Sequence, residues 1–344
     1  MKHIKFFKNI KKTDVEIAGG KGASLGEMSG AGIAVPPGFV VLANACDRFV
    51  EETNLNGEIK ARLSEVDPED TNSIDKASNV LRDVIHDTPM PKDLEKEILE
   101  AFDELFGKKT VNGKILNQVQ SLPSTRLGDD NCRVAVRSSA TAEDGAIASW
   151  AGELDTFLNT TRENVLVKVR ECWSSLFTPR AIFYRHEKGL IDEYVSVAVV
   201  IQKMVQSDIA GIAFTVHPVT EDPNQMIIEA GFGLGEAVVS GQVTPDSYIV
   251  SKDDMSIFDI NVGHQTQRLD IKKGKLKEGE DTNKWVELNK EDGEKQKLTG
   301  RQIIEVAEVC KIIEEHYKFP CDIEWAIEDK KIYITQSRPI TTLK

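Results

Sequence analysis

Cysteine is scarce, and its pattern is unpaired. Cys46, Cys132, Cys172, Cys310 and Cys321 are an odd set of five with no CxxC spacing. This excludes a disulfide scaffold and a structural zinc finger as the organising device, and it predicts a reducing, cytoplasmic setting. No apolar run approaches the roughly 20 residues of a membrane span, so no membrane contact is expected. The N-terminal MKHIKFFKNIKKTD is basic but has no apolar core, so it does not read as a secretory signal. Positive charge is in deficit: the net charge is −13. A chain this acidic is a poor general nucleic-acid binder, because affinity for phosphate backbones is mostly electrostatic. A nucleotide ligand would need a local basic cluster. Internal repeats and low-complexity tracts are also missing.

Two phosphate-binding signatures are approached and not met. Around Lys21 the sequence Gly19-Gly20-Lys21-Gly22 resembles a Walker A loop. However, Val15 stands where its first Gly is required, and Gly22 follows the Lys where Ser or Thr is needed. Gly231, Gly233 and Gly235 are spaced GxGxG, one residue short of the dinucleotide fingerprint. Those glycines still mark a close backbone approach, to a ligand or to another strand.

What is present is an ordinary globular composition, 40% hydrophobic and 29% charged, over 344 residues. That length suits two domains or one two-lobed unit. An α+β fold is expected, with an N-terminal lobe over 1–195 and a C-terminal lobe over 196–344. Leu25 and Met28 suit a short helix, and Pro36-Pro37-Gly38 turns the chain into a strand near Phe39. Residues 43–109 read as helices, with Leu94, Ile98, Phe102 and Leu105 on one face, and residues 110–131 as a polar loop. Val165, Val169, Trp173 and Leu176 mark another helix, and Thr178-Pro179 opens a further one as N-cap and first-turn Pro. Its Phe183 and Tyr184 are expected in the core. Residues 196–205 read as a buried strand, with 209–215 as its antiparallel partner and 226–229 as a further strand. Residues 251–300 suggest a β-rich excursion, and 301–317 a helix with Ile304, Val306, Ala307, Val309 and Ile313 inside.

Three stretches carry chemistry. The first, 133–158, passes from an apolar strand into Arg137-Ser138-Ser139 and then through Gly152 to a second apolar run at Phe157. Small residues admit backbone N–H groups to an anion, and an Arg fork grips two oxygens; an exposed loop with one salt-bridged Arg has the same composition. The second is Lys21, a point charge among glycines, equally compatible with a solvent-facing lysine. The third is the C-terminal pair 322–328 and 331–339. Alternation puts Asp322 and Glu324 on one face of a strand, and Gln336 and Arg338 on one face of the next. A carboxylate opposite an amide oxygen, with Arg beside them, suits magnesium and phosphate, although a hairpin with a solvated polar face fits too. Glu324 and Gln336 share a face only if residues 329–331 form a three-residue loop, or if a bulge restores the same parity.

Taken together, GGKGASLGEM, VAVRSSATAED with SWAGELDTFLN, QKMV with GIAFT, IIEAGFGLGEAVVSGQVTPDSY, and DIEW with QSRP resemble the ATP-binding domain of the phosphoenolpyruvate synthase and pyruvate phosphate dikinase family. Rifampicin phosphotransferases share this domain. The resemblance runs from about residue 19 to 340. It implies an ATP-grasp-like, two-lobed fold that binds ATP and magnesium and passes phosphoryl to a histidine on a separate swivelling domain, with AMP formed. Lys21, Arg137 and Arg338 match phosphate contacts, the last as a clamp on the terminal phosphate. Gly152 and Thr156 match the loop covering the phosphates, and Gln202 and Met204 the adenine and hinge region. Glu324 and Gln336 match the magnesium ligands. Glu229, Gln242 and Asp246 lie in matching segments as further cofactor contacts. None of the six histidines lies in the family's Gly-rich phosphohistidine context, so a histidine domain and an acceptor domain are implied as partners. The alternatives are the ATP-binding domain of an antibiotic phosphotransferase and a nucleotide-binding regulatory module without turnover.

Overall fold

The computed structural model describes residues 2–111, 114–117, 132–141, 155–190, 195–272, 280–341 and 343. They divide into two compact units. One comprises 1–30 and 37–204, the other 31–36 and 205–344. Helices and strands are mixed throughout, an α+β architecture. Among the described residues no helix is long and apolar enough to cross a membrane.

The first unit contains β1 (Ile4–Phe6), α1 (Val15–Gly30), β2 (Gly38–Val41), α2 (Ala43–Glu52), α3 (Leu55–Ser64), α4 (Thr71–Asp87), α5 (Lys92–Leu105), β3 (Lys108–Val111), β4 (Lys114–Asn117), β5 (Val134–Ala140), β6 (Thr156–Thr160), α6 (Val165–Ser174), α7 (Pro179–Glu187) and β7 (Val197–Lys203). Its five-stranded sheet has the order β1-β2-β7-β5-β6. Alternation gives each strand one face for the helical core. Phe39, Val41, Val134, Val136, Val197, Val199 and Ile201 bury there with Phe49, Leu81, Leu94, Ile98, Phe102 and Trp173 of the helices. Phe49 stacks on Trp173 with ring centroids 5.1 Å apart. The expected helix faces are borne out in α5 and α6, and Thr178 caps α7 by accepting from Ala181 N at 3.2 Å. Phe183 lies outside the core, at 45% exposure, while Tyr184 packs against it. β3 and β4 pair antiparallel across the end of the stretch expected to be helical and the start of the stretch expected to be a loop.

The second unit contains β8 (Ile209–Phe214), β9 (Gln225–Phe232), α8 (Glu236–Val239), β10 (Asp246–Ser251), β11 (Ile257–Asn261), β12 (Gln267–Ile271), β13 (Asn283–Glu287), α9 (Lys290–Gly293), α10 (Gly300–Tyr317), β14 (Cys321–Glu328) and β15 (Lys331–Pro339). Its six-stranded sheet runs β11-β10-β9-β8-β14-β15. The segment 31–36 joins this unit, where Ile334 N donates to Ala34 O at 3.0 Å. Helix α10 starts in a capping box: Thr299 N donates to Gln302 Oε1 at 3.0 Å, and Gln302 N to Thr299 Oγ1 at 3.3 Å. Its buried stripe is Ile303, Val306, Ala307, Cys310 and Ile313, a helical spacing in which the expected Ile304 and Val309 fall to the half-buried flanks.

Two expectations are corrected here. Strands β7 and β8 are adjacent in sequence but do not pair. β7 lies between β2 and β5 in the first sheet, and β8 between β9 and β14 in the second. The first unit runs to residue 204. The Gln206-Ser207-Asp208 stretch serves as a passage between units instead of a hairpin turn. Its backbone is tied to the second unit: Asp208 N donates to Ile327 O at 2.9 Å, and Gln206 N to Glu328 Oε1 at 3.1 Å.

Candidate functional site

Each unit carries its own set of the expected side chains. In the first, Arg137 is buried on β5 directly opposite Thr156 of β6 and Val200 of β7. Ala135, two residues before Arg137 and so on the same face, pairs with Gln202 of β7. Arg137, Thr156 and Gln202 thus share one face of the sheet. Helix α1 lies on that face: a Cβ on Gly22 would stand 3.1 Å from Val40 and 3.7 Å from Val200. Lys21 is therefore delivered to the same side as Arg137. Burial pushes the Cys172 thiol pKa up, and Lys21 is among the charges opposing that rise. Gln202 is only 2% exposed, and its Nε2 has no hydrogen-bond partner among the described residues. A buried amide donor without a partner is a group for which a ligand is an economical explanation. Met204 continues beyond the strand, with its N–H donating to Arg133 O at 3.0 Å. Gly152 lies outside the described residues.

In the second unit the decisive feature is the register of β14 and β15. Asp329 and Lys330 both have positive φ, 50° and 64°, and close a two-residue turn of the I′ kind with Glu328 facing Lys331. That turn alone would put Gln336 on the wrong face. The register shifts between Trp325 and Glu324, so that Trp325 faces Ile334 but Glu324 faces Gln336. The three-residue loop is not formed; the bulge alternative is. The extra residue, Thr335, restores the parity. Glu324 and Gln336 are direct cross-strand partners, as are Asp322 and Arg338.

The same face extends across the sheet. Ser247, Glu229, Ile212, Glu324 and Gln336 form one transverse row. Glu229 is half-buried about 10 Å from Glu324 across two strand spacings, and burial raises its carboxyl pKa. Burial also raises that of Asp322, against the nearby Arg338. Arg338 donates to Asp322 Oδ2 from Nε at 2.8 Å and lies 2.7 Å from it at Nη2. Asp322 is the residue that the expected site omitted. Its alternation with Glu324 was the available signal, and its role is to hold the Arg338 fork.

Asp246 does not join this row. It sits one residue off the parity of Ser247, so it projects from the opposite face, beside Tyr248. Its carboxylate is saturated there. Oδ1 accepts from Gly263 N at 2.9 Å and pairs with Lys297 Nζ at 2.8 Å; Oδ2 accepts from Tyr248 OH and Lys297 N, each at 2.7 Å. A carboxylate has about four acceptor positions, so all are used. Gln242 is exposed after α8. Within the glycine run, Gly233 is explained by strand approach: a Cβ on it, at φ 90°, would lie 2.6 Å from Leu269 O of β12.

Among the described residues no group of three or more His, Cys, Asp or Glu is placed to hold a metal. A carboxylate and an amide oxygen in cross-strand register match magnesium, which takes one or two protein ligands and completes its shell with phosphate and water.

The family model described as "Pyruvate phosphate dikinase, AMP/ATP-binding domain" matches residues 15–344. The "Probable phosphoenolpyruvate synthase" of Methanocaldococcus jannaschii is 44% identical over 345 residues, covering all of this chain and 27% of the relative. That of Methanothermobacter thermautotrophicus is 42% identical over 344 residues, covering all of this chain and 46% of the relative. The "Phosphoenolpyruvate synthase" of Pyrococcus furiosus is 40% identical over 377 residues, covering 99% of this chain and 44% of the relative. The chain thus spans less than half the length of each of these relatives.

Proposed function

We propose, from the premise that this chain belongs to the pyruvate phosphate dikinase AMP/ATP-binding domain family, that it binds ATP with magnesium in an ATP-grasp-like manner. It then gives up two phosphoryl groups through a histidine on another domain, leaving AMP; one passes on to the acceptor and the other leaves as inorganic phosphate. The observation that carries this reading is the bulged hairpin: it sets Glu324 opposite Gln336 and Arg338 one row away. Glu324 and Gln336 would hold the magnesium, which when bound neutralises charge on phosphate oxygens. Arg338 would clamp the terminal phosphate, oriented by Asp322. Lys21 and Arg137 would contact phosphates, with Gly152 and Thr156 covering them. Gln202 would offer its buried Nε2 to adenine, with the Met204 backbone beside it. Glu229 would face the ligand from the same row as Glu324. Transfer of this kind depends on positioning and charge neutralisation rather than on covalent chemistry in this domain.

The relatives named phosphoenolpyruvate synthase favour pyruvate over an antibiotic hydroxyl as final acceptor. The test is to mix the chain with magnesium ATP and a histidine-bearing domain supplied in trans. The expected result is AMP formation and label on the histidine only when both are present. No AMP under any of these conditions would leave a binding module without turnover.

A further inference from the structure

We infer that Ser139, in the strand that carries Arg137, is a positioning residue for Lys21. It acts by bridging a break in the helix that bears the lysine. The inference rests on the proposed role of Lys21 as a phosphate contact.

Helix α1 is not continuous. Gly19 has φ 69° and ψ 170°, far from helical values, and the helix restarts at once with Gly20 and Lys21. A break inside a helix creates a new C-terminal end and a new N-terminal end, each with backbone groups that lack intrahelical partners. One hydroxyl serves both ends. Ser139 Oγ donates to Ala18 O at 2.9 Å, on the near side of the break, and accepts from Gly22 N at 3.2 Å, on the far side. These bonds span 121 and 117 residues of sequence. Ser139 is fully buried, so water does not substitute for it. The fit is close. A Cβ on Gly19 would collide with Ser139 Oγ and with the Ser139 carbonyl, and only glycine adopts this backbone without strain.

The geometry couples two phosphate contacts. Arg137 and Ser139 are two residues apart on β5 and project from the same face. Ser139 fixes the first turn of the restarted helix, and Lys21 lies in that turn. The position of Lys21 is therefore set from the strand that sets Arg137. Lysine supplies a point charge on a flexible stem with no fork of its own to impose geometry. The backbone that carries it is held by the Ser139 bridge, which bonds Gly22, the next residue along.

The experiment is a double-mutant cycle on the whole chain, read by calorimetry with magnesium ATP and, separately, AMP. Ser139→Ala is expected to weaken ATP binding about tenfold while changing AMP binding less than about twofold. In a Lys21→Met background, Ser139→Ala should change ATP affinity by less than about twofold, because the residue acts through Lys21. Hydrogen exchange on the unliganded chain should show a slow Gly22 amide that becomes fast in Ser139→Ala. If Ser139→Ala does not fold, Ser139→Cys keeps the shape with a weaker donor and acceptor, and a smaller loss with the same dependence on Lys21 is expected. Equal losses for ATP and AMP, or full additivity with Lys21→Met, would overturn the positioning role and leave the proposed function standing. A wild-type chain that binds no ATP would overturn that function and this inference together, and the slow Gly22 amide would then report structure alone.

Discussion

Arg338→Lys is expected to lower phosphoryl transfer to a supplied histidine domain by about 10²–10³-fold, the loss typical of removing one pre-aimed donor from developing charge. The structure explains why lysine should not rescue. Asp322 takes Nε and Nη2 of the guanidinium on a single oxygen, at 2.8 and 2.7 Å. That contact holds the side edge of the planar fork, and the end edge is then the one suited to two phosphate oxygens. A lysine ammonium has neither the plane nor the second edge. Magnesium ATP affinity should fall by less than about tenfold, because the strongest contact is expected only as charge develops. Single-turnover measurements separate the two effects. Transfer at a near-normal rate in Arg338→Lys would mean that Arg338 is a structural partner of Asp322 and nothing more.

The second large effect is on stability. Lys297→Met is expected to destabilise the second unit by about 3–5 kcal/mol, because it removes one member of a buried ion pair and leaves the other charged. Both side chains of the Asp246–Lys297 pair are fully buried. The ammonium also donates to Gly263 O at 2.6 Å and Gly293 O at 3.2 Å. Through it, the approaches to α9 and α10 are tied to the back of the sheet. Replacing both residues together, Asp246→Leu with Lys297→Met, should recover most of the loss, since an apolar pair removes the desolvation cost of both charges. Urea unfolding followed through Trp325, buried in the same sheet, gives the comparison. A single-variant loss below about 1 kcal/mol would show that water reaches the pair and that Asp246 is available for another role.

The elements that depend on local periodicity were legible in the sequence. The apolar stripes of α5 and α6 follow the 3.6-residue repeat, and the Thr178 cap follows from hydroxyl chemistry next to proline. The hairpin face was legible as a question of parity, with the bulge as one of its two solutions. Less was legible where long-range pairing decides. Nothing local to residues 197–214 distinguishes a hairpin from two strands that part into different sheets. The Asp246 segment matched a ligand-bearing family segment, but such a match does not fix which face a residue takes. One step along β10 places Asp246 among Tyr248 and Lys297 instead of in the row of Glu229. Ser139 was visible only as one small hydroxyl in a loop-like run. Its partners lie more than a hundred residues away in sequence, and no spacing rule connects them.

The measurement that bears most directly on the proposed function is calorimetry of ATP binding with and without magnesium, on the wild-type chain and on Glu324→Ala. Binding should be clearly stronger with magnesium in the wild type. In Glu324→Ala the magnesium-dependent gain should vanish, while magnesium-free binding, which rests on contacts to the nucleotide itself, stays within about twofold. An unchanged magnesium-dependent gain in Glu324→Ala, or no detectable ATP binding by the wild-type chain, would contradict the assignment of the bulged hairpin as the metal–phosphate site.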